Sequence, residues 1–189
     1  YSKGKKDVLF LKLYSEFFGK VLSEIHRVLK PTGQLYLNLK SGTINKTLVT
    51  PHWIEFLESF KKFKFKSYII WKYSGSFDST KVRFHLDYEI IYHLSKTDDI
   101  TIYHDEGEKD PLTSVWYIPH FIKDRLHPVQ MPEAVAERII KRGSKVGDVV
   151  LDPFVGSGTS VVVAKRLNRS YIGIEIDPKY VSITKKRLD

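Results

Sequence analysis

The chain has 189 residues, of which 42% are hydrophobic and 13% aromatic, enough for one domain with a sizeable core and too many for general disorder. It has no cysteine, which excludes disulfides and thiolate metal sites, and no apolar run approaches the ~20 residues that a membrane-spanning helix needs. The net charge of +9 favours a polyanionic partner, nucleic acid ahead of an anionic membrane. Because no signal peptide is visible either, we expect a cytoplasmic protein with no membrane partner.

Helices and strands are predicted to alternate over the first 98 residues. Phe17, Phe18, Val21 and Leu22 begin a series of apolar residues at helical spacing, which indicates an amphipathic helix. Strict alternation over 62–66 indicates a half-exposed strand, whose lysines we interpret as facing solvent rather than DNA. The predicted elements are a helix over 7–29, a strand over 34–39, a loop over 41–45, a helix over 50–60, and strands over 62–71 and 86–94.

The second part of the chain continues this alternation. Strands alternating with helices predict an α/β fold with a mainly parallel, twisted sheet, helices on both faces, and an antiparallel excursion near 65–103. We expect residues 1–189 to form a single domain, in which 99–119 connect the part before them, 1–98, to a ligand-binding part, 120–189. A short segment over 115–119 is not assigned to an element. The predicted elements are a strand over 100–103, a helix over 132–143, a strand over 149–151, a helix over 159–167 capped by Asn168, a strand over 171–174, and a helix that begins at Asp177-Pro178.

A glycine-containing stretch, Asp-Pro-Phe-Val-Gly-Ser-Gly-Thr, lies at 152–159 between a predicted strand and a predicted helix. At such a turn, Gly156 and Gly158 let the backbone approach a ligand closely and point free N–H groups at it. Glu175 stands 19 residues after Gly156, about the spacing at which a Rossmann-type unit places an acid that accepts from ribose hydroxyls. Val161 replaces the third glycine of the dinucleotide fingerprint, and no Gly-Lys-Ser/Thr of a P-loop is present. The pattern therefore predicts a site for an adenosyl-type ligand without phosphates.

This stretch, followed by Gly-Ile-Glu at 173–175, resembles the S-adenosylmethionine motif of the DNA amino-methyltransferases. The family's pattern is Asp-Pro-Phe-x-Gly-Ser-Gly-Thr and then Gly-Ile-Glu, and its place near the C-terminus is similar to the permuted, beta-type order of the adenine-N6 and cytosine-N4 enzymes. The resemblance covers nearly the full chain and implies a Rossmann-like methyltransferase fold. It also implies that 1–98 is the catalytic-motif side, 99–119 a short target-recognition or connecting region, and 120–189 the cofactor-binding part. Further segments that resemble the family are Arg27–Gly33, Ile69–Trp71, Val115–Pro119 and His127–Gln130, whereas Leu86–Glu89 departs from its usual His-Glu-Tyr-Ile string.

The resemblance implies a site-specific DNA methyltransferase that transfers a methyl group from S-adenosylmethionine to an exocyclic amino group in double-stranded DNA, with adenine slightly favoured over cytosine. In the family, Asp152 would face the amino-acid part of the cofactor, Glu175 would accept from its ribose, and no metal is required. The implied cofactor-binding residues are Asp152, Pro153, Phe154, Gly156, Ser157, Gly158, Thr159, Glu175, Ile176 and Asp177, with His127, Pro128 and Gln130 on the methionine side.

Three cations near the cleft that the resemblance implies, Lys72, Lys81 and Arg83, are candidates for contacts with DNA phosphates. Solvated loop charges are an equal alternative for each of them. Enzymes of this kind can be partnered with a restriction endonuclease, but neither that partner, the recognition sequence nor the oligomeric state follows from the sequence.

The family's catalytic motif, Asp/Ser/Asn-Pro-Pro-Tyr/Phe/Trp, has no counterpart, because no Pro-Pro dipeptide occurs in this sequence. In the family order it would precede Tyr1, so the catalytic residues are unknown. Either a catalytic segment lies upstream of this sequence, which we favour, or the chain is a catalytically incomplete DNA-binding remnant. Methylation of RNA or of protein by the same cofactor is a further alternative, and a dehydrogenase is a third that Val161 disfavours.

Overall fold

The computed structural model describes residues 16–39, 43–44, 47–48, 62–74, 87–104, 112–120 and 122–189. The chain divides into two compact units, the first made of Tyr1–Ile70 and Glu89–Ile100 and the second of Trp71–Tyr88 and Thr101–Asp189. Two compact units can belong to one domain, so the single domain over 1–189 stays a prediction, as does its subdivision. The predicted helix over 50–60 and the acidic segment near 105–111 lie outside the described residues.

The first unit begins with the described part of helix α1, residues 16–28. Phe18 and Leu22 are buried on one side of α1, as the helical spacing predicts, and Gly33 closes the following turn by donating to the Lys30 carbonyl at 2.9 Å. Strand β1 (Gln34–Leu39) follows, and then two short strands, β2 (Thr43–Ile44) and β3 (Thr47–Leu48), pair antiparallel with each other. Part of the predicted loop over 41–45 is thus a strand, because its backbone pairs with the residues just after it.

Most of strand β5 (Tyr88–Ser95) and of strand β4 (Lys64–Lys72) belongs to this unit, and β5 lies between β1 and β4. β1 and β5 are antiparallel, with Gln34 opposite Ser95 and Leu39 opposite Ile90, which agrees with the predicted antiparallel excursion. β4 begins two residues later than predicted, and its Lys66 forms an ion pair with Asp98. Lys64 lies 3.6 Å from the same carboxylate, so both lysines face a protein anion at the surface.

His93 is a buried histidine of β5, with only 2% of its surface exposed. Its ring stacks on Tyr36 with 4.6 Å between centroids, and its Nε2 lies 2.9 Å from Gln34 Oε1. Since that amide oxygen can only accept, the His93 Nε2 carries a proton and Nδ1 faces the Ser67 hydroxyl at 3.5 Å. Burial, reinforced by the nearby Lys66 charge, lowers the pKa of His93 to about 4.

The second unit holds a βαβ arrangement that ends in a further helix. Strand β6 (Val115–Tyr117) precedes α2 (Glu133–Gly143), β7 (Val149–Asp152), α3 (Thr159–Arg166), β8 (Ser170–Gly173) and α4 (Pro178–Leu188). β7 and β8 are parallel, with Val149 opposite Ser170 and Asp152 opposite Gly173. Helices α2 and α3 pack through a small apolar core formed by Ala136, Ile140, Val163 and Ala164, with Met131, Val150 and Leu167 at its edge.

Residues 100–104 form no strand, so the strand predicted at 100–103 is wrong. The Tyr103 N–H donates to the Arg142 carbonyl at 3.0 Å, and the Tyr103 carbonyl accepts from Arg142 Nη1 at 3.1 Å. The backbone groups that a neighbouring strand would pair are therefore bound by the last turn of α2. As far as the structure describes the chain, none of its helices combines the length and the apolar content needed to span a membrane.

Candidate functional site

The glycine-rich loop, residues 152–158, connects β7 to α3 at the carboxyl end of the parallel pair. Gly156 has φ +53° and Gly158 has φ +88°, a left-handed conformation that favours glycine. A Cβ on Gly158 would also lie only 2.7 Å from Thr184 Cγ2 of α4. Gly158 is thus required both by its backbone conformation and by the helix packed against it.

The N–H groups of Gly156 and Gly158 both donate hydrogen bonds within the protein. Gly156 N–H donates to Glu175 Oε2 at 2.9 Å, and Gly158 N–H donates to the Val155 carbonyl at 2.9 Å. The prediction that these groups point freely at a ligand is therefore wrong, because the turn uses them for its own hydrogen bonds. A Cβ on Gly156 would meet only His127 Cδ2, at 3.8 Å, so the backbone there is open to close approach.

Glu175 connects the glycine-rich loop to the start of α4. Its Oε2 accepts from Gly156 N–H and its Oε1 accepts from Asp177 N–H, both at 2.9 Å. Asp177 is the N-cap of α4, as predicted, and accepts from Lys179 N–H at 2.8 Å, with Pro178 in the first turn. An ionised carboxylate offers about four lone-pair sites, so Glu175 can still accept from ligand hydroxyls after these two bonds.

Asp152 ends β7 and holds the beginning of the loop. Its Oδ1 accepts from Phe154 N–H at 3.0 Å, and its Oδ2 accepts from the Ser160 hydroxyl in the first turn of α3. The Ile174 N–H donates to the Asp152 carbonyl at 2.9 Å, which extends the pairing of β7 and β8 to the end of both strands. The sequence predicted Asp152 but gave no indication of Ser160, whose contact depends on the closed turn.

The predicted site residues differ sharply in exposure. Phe154 is 54% exposed and Ile176 is 98% exposed, so two apolar side chains are available at this edge for contact with a ligand. Ser157 and Thr159 are buried, so their side chains contact the protein rather than solvent. Pro153 is partly buried.

The turn His127–Gln130 lies against the glycine-rich loop, although it comes from a separate part of the sequence. Gln130 N–H donates to the His127 carbonyl at 3.1 Å, and Gln130 Oε1 accepts from Leu126 N–H at 2.8 Å. The Pro128 carbonyl accepts from Arg125 Nη1 at 3.0 Å. The His127 ring packs on Tyr180 of α4 with 4.4 Å between centroids, so the turn, the loop and α4 meet at one place.

One side of α4 contacts the site and was missed by the sequence analysis. Thr184 Oγ1 donates to the Gly156 carbonyl at 2.9 Å, and Arg187 Nη1 donates to the Ser157 carbonyl at 2.6 Å. With Tyr180 these residues recur at helical spacing, so they lie on the same side of α4. That spacing was the available signal, but nothing local showed which partner this side would have.

The candidates for DNA phosphates are only partly within the described chain. Lys72 Nζ lies 3.1 Å from Asp87 Oδ2, with roughly half of each side chain exposed, whereas Lys81 and Arg83 fall outside the described residues. A separate question is whether this part of the protein could bind a metal ion. Among the residues that the structure describes, no three or more His, Asp or Glu side chains lie together in a group that could hold one.

A parallel βαβ unit with a glycine-rich turn after its first strand and an acid after its second defines a Rossmann-like nucleotide-type site. Residues 2–186 match the family described as DNA methylase, and the chain belongs to this family. The type II methyltransferase M.HpaI of Haemophilus parainfluenzae is 34% identical over 97% of the chain and 62% of its own length. The DNA adenine methyltransferase YhdJ of Escherichia coli K12 is 33% identical over 94% of the chain and 67% of its own length.

A solved structure, the M1.HpyAVI–SAM complex, superposes with a TM-score of 0.71 at 27% identity, covering 90% of the chain and 82% of the solved chain. The predicted family and the predicted Rossmann-like α/β fold are thereby confirmed. The chain spans only 62% and 67% of the lengths of the two curated relatives.

Proposed function

We propose that this chain is part of a site-specific DNA methyltransferase that transfers a methyl group from S-adenosylmethionine to an exocyclic amino group in double-stranded DNA, with adenine N6 favoured. The observation that carries the proposal is the meeting of the glycine-rich loop, Glu175 and the His127–Gln130 turn at one edge of the βαβ unit. Family membership supports it, as do a relative named as a DNA adenine methyltransferase and a similar structure solved with the cofactor.

The residues at this edge fit S-adenosylmethionine, a cationic, phosphate-free ligand with a ribose and a flat aromatic ring. Glu175 keeps lone pairs that suit ribose hydroxyls, and Ile176 with Asp177 would flank the adenine. Asp152 would face the amino-acid part, with apolar contact from Phe154 and the His127–Gln130 turn on the methionine side. The other proposed contacts are the loop residues Pro153, Gly156, Ser157, Gly158 and Thr159.

When bound, S-adenosylmethionine supplies a methyl group already activated by the sulfonium. The task of the protein is then to hold the ligand, to exclude water and to align the accepting nitrogen with the methyl group. A base inside a duplex must leave the stack to reach such a pocket. The residues that would bind this base are left unassigned, because no Pro-Pro motif is present in this sequence.

The proposed DNA substrate agrees with the net charge of +9. We propose phosphate contacts for Lys72, Lys81 and Arg83, and Lys72 would have to leave Asp87 to make one. A partnered restriction endonuclease is proposed from the type II name of the relative M.HpaI, and a cytoplasmic location from the DNA substrate in bacterial cells.

The proposal is tested by incubating the protein with S-adenosylmethionine and unmethylated DNA, digesting the DNA to nucleosides and analysing them by mass spectrometry. We expect N6-methyl-2′-deoxyadenosine, and no product when S-adenosylhomocysteine replaces the cofactor. N4-methyl-2′-deoxycytidine would change the target base but keep the transfer to an exocyclic amino group, whereas 5-methyl-2′-deoxycytidine would contradict it. Parallel incubations with RNA and with protein, and a calorimetric titration with S-adenosylmethionine, complete the test. Methylation of RNA or protein alone would favour those alternative substrates, and cofactor binding without any product would favour a catalytically incomplete chain.

A further inference from the structure

Helix α4 binds two successive carbonyl groups of the glycine-rich loop. Thr184 Oγ1 donates to the Gly156 carbonyl at 2.9 Å, and Arg187 Nη1 donates to the Ser157 carbonyl at 2.6 Å. Thr184 is buried and the Arg187 side chain is only 17% exposed, so both hydrogen bonds are largely shielded from water. Shielding strengthens such bonds and makes the loss of either donor costly.

The same part of the loop is held from a second direction by Glu175, which accepts the Gly156 N–H. Gly156 is therefore held through both its N–H and its carbonyl group, by two different elements. Glycine has more conformational freedom to lose than any other residue, so a loop with two glycines depends on such contacts for a single conformation. A loop that is ordered before the ligand arrives binds it more tightly, because less entropy is lost on binding.

Arg187 is itself oriented by a charged network at the N-terminal end of α2. Its Nη2 donates to Glu133 Oε1 at 2.8 Å, while Arg166 donates to Glu133 Oε2 at 2.6 Å and to Glu137 at 3.1 Å. A hydrogen bond from Lys141, with the nearby Arg166 charge, keeps the pKa of Glu137 below its ordinary value, so this acid stays ionised. The network connects α2, α3 and α4.

We propose that Thr184 and Arg187 are positioning residues, which hold the glycine-rich loop in its ligand-binding conformation and so control the affinity for S-adenosylmethionine. The inference rests on the proposed function, since it takes that cofactor as the ligand. Neither residue has to touch the cofactor, because each acts through a loop carbonyl. The glycine pattern alone does not predict this role, because Thr184 and Arg187 lie on a helix about 30 residues downstream of the loop.

The chain provides a matched control for each residue. Arg187→Gln removes the guanidinium from the Ser157 carbonyl, whereas Lys186→Gln removes a positive charge from an exposed position of the same helix and leaves both loop contacts in place. Thr184→Val removes the hydroxyl but keeps the shape, whereas Thr184→Ser keeps the hydroxyl. Each variant is measured below its melting temperature by calorimetric titration with S-adenosylmethionine and by amide hydrogen exchange of residues 153–158.

We expect Arg187→Gln and Thr184→Val to weaken binding about tenfold, or ~1.4 kcal/mol, and to speed exchange in the loop. Lys186→Gln and Thr184→Ser are expected to stay within about twofold of the wild-type affinity, or ~0.4 kcal/mol. Unchanged affinity in Arg187→Gln and Thr184→Val, or an equal loss of affinity in the controls, overturns the positioning role. The proposed function is not affected by that outcome as long as the wild-type protein binds S-adenosylmethionine. A wild-type protein that binds no S-adenosylmethionine overturns both.

Discussion

Glu175 stands where the glycine-rich loop meets the first turn of α4. The spacing of the sequence predicts an acid for ribose hydroxyls at this position, and the structure adds that both carboxylate oxygens already accept backbone N–H groups. The residue therefore has a structural task before any ligand is present. The two tasks do not compete, because each oxygen retains a further lone pair.

Replacing Glu175 with Gln tests this double task. The amide has one acceptor oxygen, so the N–H of either Gly156 or Asp177 would face a donor, at a cost of ~1–3 kcal/mol. We expect a lower free energy of unfolding in urea and at least about tenfold weaker binding of S-adenosylmethionine. Asp124→Asn, an exposed acid-to-amide change that its left-handed backbone tolerates, is the control and should alter neither.

Gly158 and Gly147 form a natural pair for a second test. Both have similar positive φ, +88° and +85°, but a Cβ on Gly158 meets Thr184 whereas one on Gly147 meets nothing within 4 Å. We expect Gly147→Ala to cost ~1 kcal/mol from backbone strain alone. Gly158→Ala should cost a further ~1–3 kcal/mol from the clash, measured by urea unfolding. Equal losses in the two variants would show that the contact with α4 does not restrict Gly158.

Among the elements, those of the βαβ region were predictable to within one residue at each observed boundary. Their signals are local: a short aliphatic run for β7, Asn168 at φ +59° just after α3, and Asp177-Pro178 at the start of α4. Such signals depend on the conformation of neighbouring residues and need no knowledge of the rest of the fold.

Elements and contacts that depend on distant partners could not be predicted in this way. The apolar pattern of 100–103 is that of a strand, yet Arg142, far away in sequence, binds the backbone of Tyr103. The contacts of Ser160, Thr184 and Arg187 with the site likewise exist only once the loop is folded. The sequence thus predicted Asp152 and Glu175, which bind the loop, but not Ser160, Thr184 or Arg187, whose contacts with it come from α3 and α4.

The N-cap of α4 leads to a prediction at the scale of this element. Asp177→Ala removes the acceptor of the Lys179 N–H, and we expect a loss of ~0.5–2 kcal/mol in the free energy of unfolding. Asp177→Asn, which keeps a capping oxygen, should recover most of it in thermal and urea unfolding. If both variants lose the same amount, the negative charge rather than the hydrogen bond stabilises the start of α4.

For the molecule as a whole, His93 predicts how stability depends on pH. Its pKa is about 4 in the folded state, against ~6.5 in an unfolded chain, so the unfolded state binds more protons between these values. Stability should therefore be fully present above about pH 6.5 and fall as the pH drops towards 4, by up to ~3 kcal/mol. Urea unfolding across this range measures the slope.

His93→Gln, which cannot ionise and can still form hydrogen bonds, should remove most of this slope between pH 4 and about 6.5. The hydrogen bond from Lys66 keeps the pKa of Asp98 below its ordinary value, so the stability that this carboxylate contributes is lost only in more acidic solution. That loss of stability would remain in the His93→Gln variant. An unchanged slope in the variant would show that groups other than His93 control the acid sensitivity.

We propose above all that the edge formed by the glycine-rich loop, Glu175 and the His127–Gln130 turn binds S-adenosylmethionine. The most direct measurement is calorimetric titration of the chain with S-adenosylmethionine and, separately, with a nicotinamide dinucleotide. We predict one-to-one binding of S-adenosylmethionine and no binding of the dinucleotide, because Val161 replaces the glycine that a pyrophosphate site requires. Binding of the dinucleotide alone, or of neither ligand, would contradict this account.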